Sequence, residues 1–95
     1  MANLIEGAVT SIGEAGQLIS DISDEQLENV PRNENTVVAF GGHQTLGLFS
    51  PDHGQPDATM VAFIGKTGAL EIEIVGISLS AMLGIKTGEK VSVSW

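Results

Sequence analysis

No cysteine occurs in this sequence. That excludes disulfides and thiolate-bound metals and leaves the redox compartment open. Aromatic residues are few: three phenylalanines, one tryptophan (Trp95) and no tyrosine. So small a set offers no stacking platform for single-stranded nucleic acid. Basic residues are as scarce. Arg32, Lys66, Lys86 and Lys90 stand against twelve acids, for a formal charge of −8. Polyanions are bound by basic surfaces that displace their counterions, so no nucleic-acid partner is expected. Long hydrophobic runs are also missing. None approaches the roughly 20 apolar residues of a spanning helix, and the opening MANLIEGAV lacks the basic and apolar segments of a signal peptide. The expectation is a soluble, acidic, cytoplasmic chain with no membrane partner.

What remains is aliphatic and rich in glycine. The chain has 95 residues, 42% of them hydrophobic, with 12 glycines. A length of this order suits one domain, residues 1–95, burying roughly 60–70% of its unfolded surface. β-Prone segments recur at close spacing between turn residues: Leu4 to Ile12, Gln17 to Ser20, Thr36 to Phe40, Thr45 to Phe49, Thr59 to Ile64, Ala69 to Val75 and Lys90 to Trp95. This pattern predicts an all-β fold with minor α content, a small closed or partly open barrel of about seven strands. Two stretches interrupt it. Ser23 with Gln26 forms a capping-box pattern ahead of Pro31, which predicts a short helix near Asp24 to Asn29. Ser78 or Ser80 as cap, with Gly84 beyond, predicts a second near Leu79 to Leu83. Ser50 to Asp57, with Pro51, Gly54 and Pro56, reads as an exposed loop.

Gly65-Lys66-Thr67 matches the end of a phosphate-binding loop. The required upstream glycine is replaced by Met60, and the triplet lies between strand patterns rather than opening a helix. It reads as a hairpin turn. His43 and His53 fall in separate loops with no metal-ligand spacing and read as surface residues. No G-x-S-x-G elbow is present. Glu71 and Glu73 share a strand face, where two carboxylates could split their pKa values. Alternation with Leu70, Ile72 and Ile74 instead marks a solvated face opposite a buried one. No catalytic residue and no metal site emerges.

Two stretches together carry a resemblance: GAVTSIGEAGQLISDI, from Gly7 to Ile22, and GKTGALEIEIVGISLSAMLGIKTGEKVSV, from Gly65 to Val93. In order and spacing they resemble the C-terminal β-barrel domain of the S-adenosyl-L-methionine hydroxide adenosyltransferases, the family that includes fluorinating and chlorinating enzymes. The middle, Val30 to Met60, matches only in character. In that family the ligand lies between this domain and the N-terminal catalytic domain of a neighbouring subunit, and this chain corresponds to the C-terminal domain standing alone. The resemblance implies adenosine-like contacts at Gln17, Ser20, Asp21, Lys66, Thr67, Gly68, Ser78 and Leu79. Several depart from the family pattern. Phe-Gly-Asn becomes Ala15-Gly16-Gln17, and Thr-Asn becomes Ser20-Asp21. Of Asn-Ser-x-Gly only the glycine, Gly68, survives. Asn-Ala-Ala becomes Ser78-Leu79-Ser80. Core-like positions such as Leu70, Glu71, Ile72, Leu83, Gly84, Gly88 and Val91 agree.

The resulting expectation is a non-catalytic small β-barrel module for partner binding or self-assembly, not an enzyme as an isolated chain. It would have a degraded adenosine-binding surface and no cofactor of its own. Its partner would be a second copy in a homo-oligomer or a separate chain, with the Gly65–Gly68 hairpin and the Leu79 helix near the interface. The alternatives are the nucleoside-binding half of a split S-adenosyl-L-methionine hydroxide adenosyltransferase, or a small nucleoside sensor. In those two, S-adenosyl-L-methionine or adenosine would be the ligand.

Overall fold

The computed structural model describes residues 3–95. Seven strands occur among them: β1 Leu4–Ile12, β2 Leu18–Ser23, β3 Val37–Phe40, β4 His43–Leu46, β5 Met60–Ile64, β6 Ala69–Ile74 and β7 Lys90–Ser94. One short helix, α1 Leu79–Leu83, lies between β6 and β7. The strands form a single sheet in the order β4-β3-β7-β1-β2-β6-β5, and every strand pairing is antiparallel. The sheet curls until its two edge strands meet. Thr45 on β4 donates its hydroxyl to the Met60 carbonyl at 3.1 Å. Phe49 bridges to Phe63 in parallel sense, with Phe49 N–H donating to Ala62 O at 2.9 Å. The result is an all-β, nearly closed barrel, as the strand spacing indicated.

β1 belongs to both halves of the barrel. Its first part pairs with β7, from Leu4↔Ser94 to Ala8↔Lys90. Its second part pairs with β2, and the register shifts between Val9 and Ser11. Such a bulge bends a strand and increases its twist. Here it turns β1 from one half-barrel into the other. Inward-facing aliphatics from every strand except β4 fill the barrel: Val9, Leu18, Val38, Ala62, Ile72 and Val93 are all at most 2% exposed. Leu79 from α1 and Leu27 from the β2–β3 connection plug the ends, each fully buried.

The helix near Asp24 to Asn29 does not form. The segment is a succession of turns, with Leu27 N–H bonded to Asp24 O and Val30 N–H to Leu27 O, each at 3.1 Å. Both capping-box bonds do form: Gln26 Oε1 accepts from the Ser23 N–H at 3.0 Å, and Ser23 Oγ accepts from the Gln26 N–H at 3.4 Å. The stretch is too short before Pro31 to propagate, and helix nucleation repays its entropy only over further turns. α1 is equally short, but it is tied at both ends. Ser78 Oγ accepts from Ala81 N–H at 3.2 Å, and Gly84 takes the left-handed conformation with φ of 69°. Its buried Leu79 supplies the tertiary anchor.

Candidate functional site

β6 has two chemically different faces. Leu70, Ile72 and Ile74 point into the barrel. Glu71 and Glu73 point outward, across from Phe63 and Val61 on β5. This outer face is not solvated. Glu71 is only 9% exposed, Phe63 8% and Val61 0%. The loop after Phe49 folds over it and places His53 against the sheet, with the imidazole 7% exposed. The expectation of a solvated acidic face and a surface His53 is therefore corrected. His43 is exposed, as expected, but it opens β4 instead of lying in a loop, and that strand runs over His43–Leu46 where Thr45 to Phe49 was expected. A sequence signal for this cover existed in β5. Val61-Ala62-Phe63-Ile64 is apolar on both faces, the pattern of a strand covered on two sides.

His53 is held by two hydrogen bonds that define its protonation. Its Nδ1 accepts from the Gln55 N–H at 3.0 Å. A nitrogen that accepts carries no proton, so the ring is neutral and its proton lies on Nε2. Nε2 donates to Glu73 Oε2 at 2.7 Å. One Glu73 oxygen is thus fixed by the imidazole. Phe49 and Phe63 flank the imidazole, with ring centroids 6.1 and 6.0 Å away.

Burial pushes the Glu71 carboxyl above its ordinary value, a hydrogen bond from Gln17 opposes this, and the like charge of Glu73 adds to the rise. A carboxyl whose folded pKa is raised binds its proton more tightly in the folded state. Its ionisation therefore costs stability as pH rises through the folded pKa, and acidification toward the unfolded value removes that cost. Glu71→Gln is expected to raise unfolding stability at neutral pH by on the order of 1 kcal/mol. The gain should shrink as pH falls toward the ordinary carboxylate value of 4.5. Chemical denaturation at several pH values measures this, and a gain independent of pH would contradict it.

Beside Glu73 lies an open groove of about 320 Å³, lined by Ala15, Glu73, Ile74, Gly76, Ile77 and Ser78. The β1–β2 turn forms one wall and the segment after β6 the other. The two walls touch at Gly16, where a Cβ would overlap Ser78 Oγ and stand 2.7 Å from Ser78 Cα. Gly16 O also accepts from Ser80 N–H at 3.0 Å.

The residues singled out by the resemblance fall into separate places. Ser78 lines the groove, opposite Ala15, whereas Gln17 bonds to Glu71 and to the Ala15 N–H. Lys66, Thr67 and Gly68 form the β5–β6 turn, closed by Gly68 N–H to Gly65 O at 3.0 Å. This confirms a hairpin rather than a phosphate loop. The turn contacts Asp24, whose N–H donates to Gly68 O at 2.7 Å, and lies at the opposite end of β6 from the groove. The length of β6 separates the two, a span of roughly 20 Å. Ser20 is 4% exposed and donates to Leu70 O at 2.8 Å, so its hydroxyl serves the barrel wall. Asp21 accepts from Ala8 N–H at 2.9 Å, on the β1 side. Leu79 is fully buried in the core and faces neither groove nor solvent. Sequence reasoning missed Glu73 and His53 as groove-side groups, because their partnership depends on a loop folding back over the sheet.

No protein-family model matches the chain, and no curated protein matches it. Solved structures do. One, titled as an uncharacterized conserved protein from Thermotoga maritima, superposes with a TM-score of 0.80 at 17% identity, over 100% of this chain and 38% of that one. Another, a conserved hypothetical protein from Thermus thermophilus, gives 0.73 at 26% identity, over 94% of this chain and 34% of that one. The chain thus spans little more than a third of the length of either structure. What it shares with them is the barrel fold, here carrying a groove beside a histidine-held glutamate.

Proposed function

We propose that this chain is a non-catalytic β-barrel module that assembles with a second copy of itself through the face beside α1. Two exposed apolar side chains support this reading. Met82 on α1 is 63% exposed and Ile77 at the groove rim 38%, on adjoining segments. Large apolar side chains gathered on one face mark an interaction surface when they form a continuous patch. A symmetric dimer is the commonest way to cover one. Met82 takes the place of Leu79 as the interface residue, since Leu79 lies in the core. Light scattering at tens of micromolar should give the mass of a dimer, and the Ile77→Glu, Met82→Glu double variant that of a monomer. A monomer mass for the unaltered chain would remove the reading.

A second reading, the nucleoside-binding half of a split S-adenosyl-L-methionine hydroxide adenosyltransferase or a nucleoside sensor, draws on one observation. Ala15 and Ser78 come from two distant stretches and meet at one groove. Against it stand Ser20 and Leu79, engaged in the barrel wall and core, and Asp21, whose carboxylate binds the Ala8 N–H on the β1 side. A thermal-shift titration with adenosine and S-adenosyl-L-methionine tests it. Saturating ligand at about one hundred times its dissociation constant should add about 2.7 kcal/mol of stability.

A further inference from the structure

We infer that the groove is a binding site for a small organic cation, an ammonium or amidinium on an apolar body, with Glu73 as its counter-ion. The argument starts from charge. Glu73 has a side chain 29% exposed, and its one close partner is an imidazole whose other nitrogen accepts a hydrogen bond. No lysine or arginine pairs with this partly buried carboxyl, and a buried carboxylate calls for a compensating partner. The groove lining contains no cation to provide one. Of the four basic residues, Lys90 pairs with Glu6 at 3.4 Å, Arg32 reaches Leu27 O, and Lys66 sits in the distant hairpin. Lys86 follows α1 and is exposed, outside the groove lining. Asp57 adds a further negative group, 3.3 Å from where a Cβ on Gly76 would stand. Phosphate and carboxylate ligands would be repelled.

The geometry favours an organic cation over a metal ion. The groove offers one carboxylate, one serine hydroxyl and backbone, whereas calcium takes roughly six to eight oxygens. No group of three or more metal-binding side chains occurs among the described residues. A volume of about 320 Å³ is that of a small-molecule pocket rather than of a hydration shell. Ala15 and Ile77 give apolar walls for an organic body, while Glu73 stands at one side to receive its N–H donors. Bonds from a charged donor to a carboxylate are among the stronger hydrogen bonds. His53 fixes the Glu73 oxygen it binds and leaves the other free for the ligand. The site shares Ile77 with the proposed self-association face, whereas Glu73 and Ala15 belong to the groove alone.

Benzamidine is a suitable probe, a flat aryl group bearing an amidinium, with benzamide as its neutral counterpart. Calorimetry at low ionic strength should show saturable benzamidine binding. Benzamide, and adenosine 5′-monophosphate as an anionic control, should bind at least tenfold more weakly. Glu73→Gln should weaken benzamidine at least tenfold. Ala15→Trp, which fills the groove from an exposed turn and leaves the Glu73 side chain unaltered, should abolish binding even if the Gln variant folds poorly. Equal binding of benzamide, retention of benzamidine by either folded variant, or no benzamidine binding would each overturn the inference.

Discussion

Gly16→Ala is expected to cost about 3 kcal/mol of unfolding stability, a large share of the roughly 5–15 kcal/mol typical of a small domain. Two effects add. Gly16 has φ of 83°, a conformation that costs a residue with a Cβ roughly 1–2 kcal/mol. The new methyl would also overlap Ser78 Oγ, with Ser78 Cα only 2.7 Å away, and backbone cannot rotate aside as a long side chain can. Separating the walls would strain the bond from Ser80 N–H to Gly16 O, which contributes about 1 kcal/mol. Gly42→Ala is the matched control. Gly42 has the same φ of 83°, but nothing lies within 4 Å of its Cβ position. It should show the backbone effect alone. Urea titration of both variants isolates the steric part. Equal losses would mean that the close approach of the groove walls contributes nothing.

Leu79→Ala is expected to be the second large loss, about 2–5 kcal/mol. Leu79 is fully buried within the main core cluster, and α1 has no other fully buried residue to hold it. For a domain of this size each kcal/mol lowers Tm by roughly 4–8 °C, so a fall of at least about 8 °C should be seen. Met82→Ala, three residues along the same helix and 63% exposed, should stay within about 0.5 kcal/mol. If the two variants melted alike, the placement of α1 would be wrong. Leu79→Glu would therefore unfold the chain rather than report on an interface.

The strands were legible because alternation and turn residues agreed with the final pairing. β1 has the bounds its apolar pattern indicated, and β5, β6 and β7 differ from expectation by single residues at their ends. The ends of α1 were legible too, since Ser78 and Gly84 act locally. The turns over Asp24 to Asn29 were misread because a capping pattern says how a helix starts, not whether enough residues follow. The outer face of β6 was misread for a different reason. Alternation distinguishes two faces of a strand but not what covers the polar one, and the cover here is a loop twenty residues earlier in the chain, fixed by His53 to Glu73. The groove was legible only in part. Positions drawn from the resemblance include both of its walls, yet spacing along β6 puts the Gly65–Gly68 turn at the far end.

The sharing of β1 between the two half-barrels bears on how the chain is made. Leu4 pairs with Ser94, and Val37 on β3 pairs with Ser94 as well. During synthesis β1 can zip to β2 as soon as both emerge, but its other edge has no mate until β7 is translated. At roughly 5–20 residues per second, that edge stays open for several seconds. β3 waits in the same way. Unmated strand edges are templates for joining other chains. The nascent chain thus passes through an interval in which its order of emergence, rather than its final stability, decides between closing on itself and pairing with a neighbour on the same message.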